Sequence, residues 1–168
     1  MTLGLTIPER LAAIEEIKVL KARYLRFVDT KDWEAFRRLV TDDMKFYFES
    51  EPTPRATTGE QFVNEFVRAR MSHSLSIHHG LMPEIEIIDS DSATGIWALY
   101  DWVDDPKHRR AFEGYGHYEE KYRRNSAGRW QISEIRLTRL RVELRTPSDL
   151  ASVNRTSPPP ADESDSNQ

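Results

Sequence analysis

The sequence predicts an α+β domain in which about three N-terminal helices pack on one face of a strongly bent, mostly antiparallel sheet. Three observations carry this prediction. Helical periodicity fills roughly the first seventy residues. Strand signals dominate from there to about residue 144, and helices first with strands afterwards is the α+β order. The last strands run roughly twelve to sixteen residues, against a usual three to ten, and strands of that length curl.

The first helix is expected over residues 7–28. Thr6 and Glu9 have capping-box spacing, and Pro8 lies in the first turn, where a missing N–H costs nothing. Leu11, Ile14, Ile17, Leu20, Tyr24 and Phe27 recur at three and four residues and form an apolar stripe. A short second helix follows Thr30, with Trp33, Phe36, Leu39 and Val40 inward, and Thr41-Asp42-Asp43 breaks it before a strand at Met44–Phe48. Thr58 and Gln61 again have capping-box spacing, opening a helix with Phe62, Val63, Phe66 and Val67 on its buried face. Strands are then expected at about 73–79, 83–89, 92–103, 110–123 and 129–144. Asp89-Ser90-Asp91-Ser92 and Asn125-Ser126-Ala127-Gly128 supply turns between them. The domain is expected to span residues 1–145. Residues 146–168, with Pro158-Pro159-Pro160 and an acidic, serine-rich end, are expected to be a disordered tail.

Composition excludes several classes of function. The chain has no cysteine, which removes disulfides, thiolate zinc sites and cysteine nucleophiles. A net charge of −4 gives no electrostatic reason to bind nucleic acid or anionic membrane. The run Lys107-His108-Arg109-Arg110 reads as a solvated hairpin loop. No window approaches the roughly 20 apolar residues of a membrane span, and no signal peptide is visible, so a cytoplasmic location is expected. His73, His78 and His79 lie close together but lack HExxH or carboxylate-triad spacing, so no metal is expected. Gly114-Tyr115-Gly116 lacks the third glycine of a dinucleotide fingerprint, and no nucleotide cofactor is expected.

Tyr24-Leu25-Arg26-Phe27-Val28-Asp29 closes the first helix, and Ser76-Ile77-His78-His79-Gly80 lies on the strand after the third. With Ala93-Thr94-Gly95-Ile96-Trp97, Gly116-His117-Tyr118-Glu119-Glu120 and Gly128-Arg129-Trp130-Gln131-Ile132, these stretches resemble the SnoaL-like branch of the nuclear-transport-factor-2-like superfamily. The resemblance covers about residues 8–145 and implies a cone-shaped α+β barrel. It points toward the cofactor-independent lyases of that branch, among them scytalone dehydratase, bile-acid 7α-dehydratase and hexachlorocyclohexane dehydrochlorinase. Those enzymes use an Asp–His pair, and Asp29 and His78 occupy the matching places. Tyr24 matches a tyrosine used by the bile-acid enzyme. Phe48 stands where a second active-site tyrosine would fall, with Tyr47 one position off. The dehydrochlorinase's cationic residue maps onto Ile135, with Arg136 and Arg139 as neighbours.

The resemblance thus implies an elimination, such as dehydration or loss of halide or a small aldehyde, from a hydrophobic, ring-containing small molecule. Elimination needs a base for a C–H proton, and a histidine suits that task because it titrates near neutral pH. A carboxylate on the other ring nitrogen would fix the tautomer, so His78 takes the base role and Asp29 the orienting role. Tyr24 is either a donor to a substrate oxygen or a core tyrosine. Strict alternation puts His79 with Leu75 and Ile77 and His78 with Ser74 and Ser76, so His79 stays open as the pocket residue. Phe48, Tyr47, Phe62, Phe66, Trp97, Tyr115, His117 and Arg139 are the expected pocket lining. The same pocket would serve an isomerase or cyclase. A non-catalytic binding module, or the small subunit of a ring-hydroxylating oxygenase, is the rival reading. Self-association as a trimer or dimer is expected.

Overall fold

The computed structural model describes residues 4–145 except Pro106 and His108. The expected tail therefore lies outside the described residues. Helix α1 spans Ile7–Thr30 and carries the capping box at its start, Thr6 and Glu9 bonding reciprocally. Its buried residues are Ala13, Ile17, Leu20, Lys21, Tyr24, Leu25 and Val28. Leu11 is exposed, so the stripe sits slightly rotated from the predicted one. Lys31, in the left-handed conformation, ends the helix, its N–H bonding the carbonyls of Phe27 and Val28. Asp32 caps the short helix α2, Trp33–Arg37, by accepting from the Ala35 N–H.

Strand β1 is Val40–Phe48, so Val40 opens a strand instead of closing a helix, and Thr41-Asp42-Asp43 lies within it. The third helix winds as a π-helix over Gln61–Arg68 and ends in a single α-turn, Ala69–Met71. Thr58 still accepts from the Gln61 N–H as the capping pattern predicts, while the Gln61 side chain reaches back one residue further, to Thr57. Strands β2 (Leu75–Ile87), β3 (Ser92–Asp105), β4 (Arg110–Arg124) and β5 (Trp130–Arg145) follow. The two strands expected at 73–79 and 83–89 are thus one. A register shift between Leu81 and Glu84 interrupts the pairing with β3, and Met82 there has a φ of 43°.

The sheet order is β1-β5-β4-β3-β2. All neighbours run antiparallel except β1 with β5. The result is a curled, unclosed sheet whose concave face carries the helices: the α+β cone. Register sorts the side chains. Ser76 and His78 of β2, Trp97, Leu99, Asp101 and Val103 of β3, and Gly114, Tyr118, Glu120 and Tyr122 of β4 share the inner face. Gly80 eases the close seating of α1, because a Cβ there would stand 3.1 Å from Leu25 Cδ1 and the leucine would have to give way slightly. Phe36, Phe46, Phe62 and Phe66 pack as an aromatic cluster under the helices.

A buried ion pair crosses this core. The Lys21 ammonium pairs with the Glu120 carboxylate, and both side chains are buried. Lys21 Nζ also stands 3.5 Å from the Tyr118 ring centroid and 4.5 Å from that of Tyr24. Tyr122 donates to Glu120 at 2.5 Å and receives Trp97 Nε1–H at 2.8 Å, so the network is closed by its own members. Burial pulls the Lys21 ammonium below its ordinary value against the pull of Glu120.

Candidate active site

Asp29 lies in the last turn of α1, where the helix dipole is unfavourable to a carboxylate. Three donors from β2 offset this. Ser76 Oγ donates at 2.9 Å, the His78 backbone N–H donates at 2.9 Å, and His78 Nδ1 lies 2.6 Å from Oδ1. Lys31 Nζ completes the cluster by donating to Ser76 Oγ and to the Val28 carbonyl. Burial pulls Lys31 down to about 8 against the charge of Asp29. The helix end and strand β2 are therefore stitched together through one carboxylate, and the imidazole ring is held by its Nδ1 edge.

His78 Nε2 points into the inner face, where Asp101 Oδ2 lies 3.8 Å away. Arg139 of β5 grips that carboxylate with both terminal nitrogens, at 2.6 and 2.7 Å. Burial works against the guanidinium's charge, but the bonds and charge of Asp101 outweigh it and raise Arg139 above its ordinary value. Asp101 is 2% exposed. It is the site residue that sequence reasoning missed. Its signal was available, since Trp97, Leu99, Asp101 and Val103 form an otherwise apolar inward row at two-residue steps.

Register places the two histidines on opposite faces of β2, although both border the cleft between α1 and β2. His79 pairs with Tyr100 on the outer face and stacks on its ring at 5.8 Å. The apolar Leu75-Ile77-His79 row faces outward, with Ile77 47% exposed, because the inner face takes serines to bind the helix end. Tyr115 and His117 are corrected the same way. Both lie on the outer face, Tyr115 against Tyr100 with its hydroxyl bonded to Glu113, so neither lines the inner face. Tyr47 pairs with Arg136 on the outer side, under its guanidinium, leaving Phe48 on the inner side.

Phe62 is buried in the aromatic cluster, Phe66 is half-buried beside it, and Tyr24 is buried against Phe36, Tyr118 and Lys21. Burial pushes the Tyr24 and Tyr118 hydroxyls above their ordinary values, with the charge of Asp101 adding to it at Tyr118. A cleft of about 570 Å³ opens between α1 and β2. Leu25, Trp97, Asp29 and His78 stand in its wall, Ile77 and His79 reach its rim from the other face of β2, and Lys18 and Arg26 line it from α1. Among the described residues, no three His, Asp or Glu side chains are grouped to hold a metal ion, and no helix is long and apolar enough to cross a membrane.

A curled sheet over three helices, with a carboxylate–imidazole pair bridging helix and strand beside a cleft, defines a cone of the nuclear-transport-factor-2-like type. The model of the SnoaL-like domain family matches residues 9–136, and the chain belongs to that family. A protein of Gibberella zeae named as a probable cyclase is 26% identical over 148 residues, covering 79% of this chain and 93% of its own. Among solved structures, a candidate scytalone dehydratase of Novosphingobium aromaticivorans superposes with a TM-score of 0.73 at 15% identity, over 84% of this chain and 95% of that one. A hexachlorocyclohexane dehydrochlorinase of Novosphingobium barchaimii gives 0.70 at 19% identity, over 91% and 100%. At those identities the likeness establishes the fold.

Proposed function

We propose that the chain is a cofactor-independent lyase that eliminates water, halide or a small aldehyde from a hydrophobic, ring-containing molecule, with His78 as base and Asp29 as its orienting carboxylate. The observation that carries this reading is the three-donor grip on Asp29, with His78 Nδ1 at 2.6 Å. A carboxylate so held keeps the ring proton on Nδ1 and leaves the Nε2 lone pair directed inward. In a dehydration, Nε2 takes the C–H proton as the carbon–carbon double bond forms and the carbon–oxygen bond breaks. The imidazolium, stabilised by Asp29, then returns that proton to the departing hydroxide, and water leaves. Burial of the imidazole, whose side chain is 9% exposed, strengthens these contacts by limiting solvent.

Screening hydroxylated and halogenated aromatic and terpenoid compounds against wild type, Asp29→Asn and His78→Ala tests the proposal by product mass. The expected result is loss of water or hydrogen halide by wild type and a fall of about 10²–10⁴-fold in His78→Ala. A compound turned over equally by all three proteins refutes the assignment. The cyclase-named relative favours a second reading, isomerisation or cyclisation in the same site, which the screen recognises as a product of unchanged mass. A binding module or oxygenase small subunit predicts no turnover by the isolated chain. The exposed Leu140, Val142 and Leu144 of β5 support self-association.

A further inference from the structure

We propose that Asp101 is a second carboxylate partner of His78, a positioning residue that Arg139 holds back from Nε2 and that the absent side chain at Gly114 makes room for. The proposal rests on His78 being the base. It adds the group that sets the condition of the nitrogen on which the proton arrives.

The geometry is a competition for one carboxylate. At 3.8 Å from Nε2, Asp101 Oδ2 is beyond hydrogen-bond distance, while both its oxygens are engaged by Arg139 in two short parallel bonds. A carboxylate with 2% exposure has no solvent to turn to, so its donors must come from the protein. Arg139 is the present donor, and Nε2–H of a protonated His78 is the alternative about 1 Å further off. While Arg139 keeps Asp101, Nε2 has no acid partner and its lone pair stays open to a substrate proton. Without Arg139, Asp101 closes on Nε2, holds a proton there, and blocks the base.

Gly114 gives the pair its place. It faces Asp101 across the β3–β4 ladder, and a methyl group on it would overlap Arg139 Nη1 and Asp101 Oδ1. Any side chain at 114 must push the two apart. The site therefore has four side chains in sequence, Asp29, His78, Asp101 and Arg139, drawn from α1, β2, β3 and β5, with opposite formal charges alternating when the imidazole is protonated.

The test uses the free protein, with no substrate. Imidazole nitrogens are followed by NMR across a pH titration, and the His78 signal among the five histidines is assigned by its loss in His78→Gln. The other charged or titratable groups facing this cluster are unchanged throughout: Asp29 and Lys31 near the end of α1, Tyr118 on β4, and Glu49, whose carboxylate accepts from the Arg139 backbone N–H. Asp101→Asn leaves an unopposed guanidinium near Nε2 and should lower the His78 midpoint by about one unit. Arg139→Met leaves an unopposed carboxylate and should raise it by about as much. The double variant removes both charges and should return the midpoint close to wild type. Gly114→Ala should shift it in the direction of Arg139→Met.

An Asp101–Arg139 pair that does not act on Nε2 predicts no such opposition of sign. Midpoints that stay put in both single variants, or move in the same direction, overturn the proposal. Because the titration needs no turnover, its outcome is separate from the lyase reading. Opposite shifts together with a substrate that His78→Ala turns over as fast as wild type would keep Asp101 as a partner of His78 and remove the base role.

Discussion

Replacing Lys21 by Met should be among the most costly single changes in the chain. Lys21 and Glu120 are both buried, and Glu120 keeps only the Tyr122 hydroxyl as a donor once the ammonium is gone. Removing one member of a buried pair leaves an uncompensated charge and costs about 3–5 kcal/mol. An independent bound agrees. The stranded acid can escape by taking up a proton, and for an ordinary glutamate that costs about 3.7 kcal/mol at pH 7. In a chain of this size, such a loss lowers Tm by roughly 6–20 °C. The same reasoning makes the penalty pH-dependent, falling to about 1 kcal/mol at pH 5, where protonation is nearly free. Adding Glu120→Gln should recover the greater part at pH 7, because the amide oxygen still accepts from Tyr122 while the charge is gone. Thermal unfolding followed by circular dichroism on the four proteins, at pH 7 and pH 5, reads all of this. A Lys21→Met penalty below about 1 kcal/mol at pH 7, or a double variant weaker than the single, would refute the reasoning.

Lys31 gives a second test with its own sign. Burial holds its folded value at about 8, below the 10.5 of a free lysine. Between those values the unfolded chain binds more protons, so this group's contribution to stability rises with pH across that window. Urea midpoints of wild type and Lys31→Met should therefore diverge in favour of wild type from pH 8 to pH 10, and parallel curves would contradict it. Met82 is 81% exposed at a φ of 43°, a conformation glycine adopts without strain. Met82→Gly should leave stability unchanged or raise it by up to about 1 kcal/mol, and a loss beyond about 1 kcal/mol would show that the side chain anchors the bulge.

Much of the fold was legible because its signals are local. The Thr6–Glu9 box, the stripe on α1 and the turn residues after Ile87 and Arg124 each act within a few residues. What could not be read depends on pairing across the sheet. Nothing near Lys21 announces Glu120, ninety-nine positions away, although a lysine between Ile17 and Tyr24 on the buried stripe invites the question. Two strands were expected, at 73–79 and 83–89, yet β2 runs through the gap between them as a bulge because β3 continues alongside. Alternation placed His78 with serines, and the expectation of an apolar pocket wall then pulled toward His79. The family resemblance kept His78, and polar contacts to the helix end, through Ser76 and Lys31, make its serine face the inner one, while His79 borders the cleft from the other face. Tyr115 and His117 were assigned inward for want of the β3–β4 register, which puts Gly114, Gly116 and Tyr118 inside instead.

The central claim is that His78 removes a proton from the substrate while Asp29 holds its far nitrogen. The pH dependence of kcat/KM, on whichever compound the screen identifies, tests it most directly. A histidine base predicts a single-proton loss of kcat/KM on the acid side, in the range of roughly pH 6–7 where imidazoles titrate. A profile that stays flat down to about pH 5 would contradict the account and remove His78 from the base role.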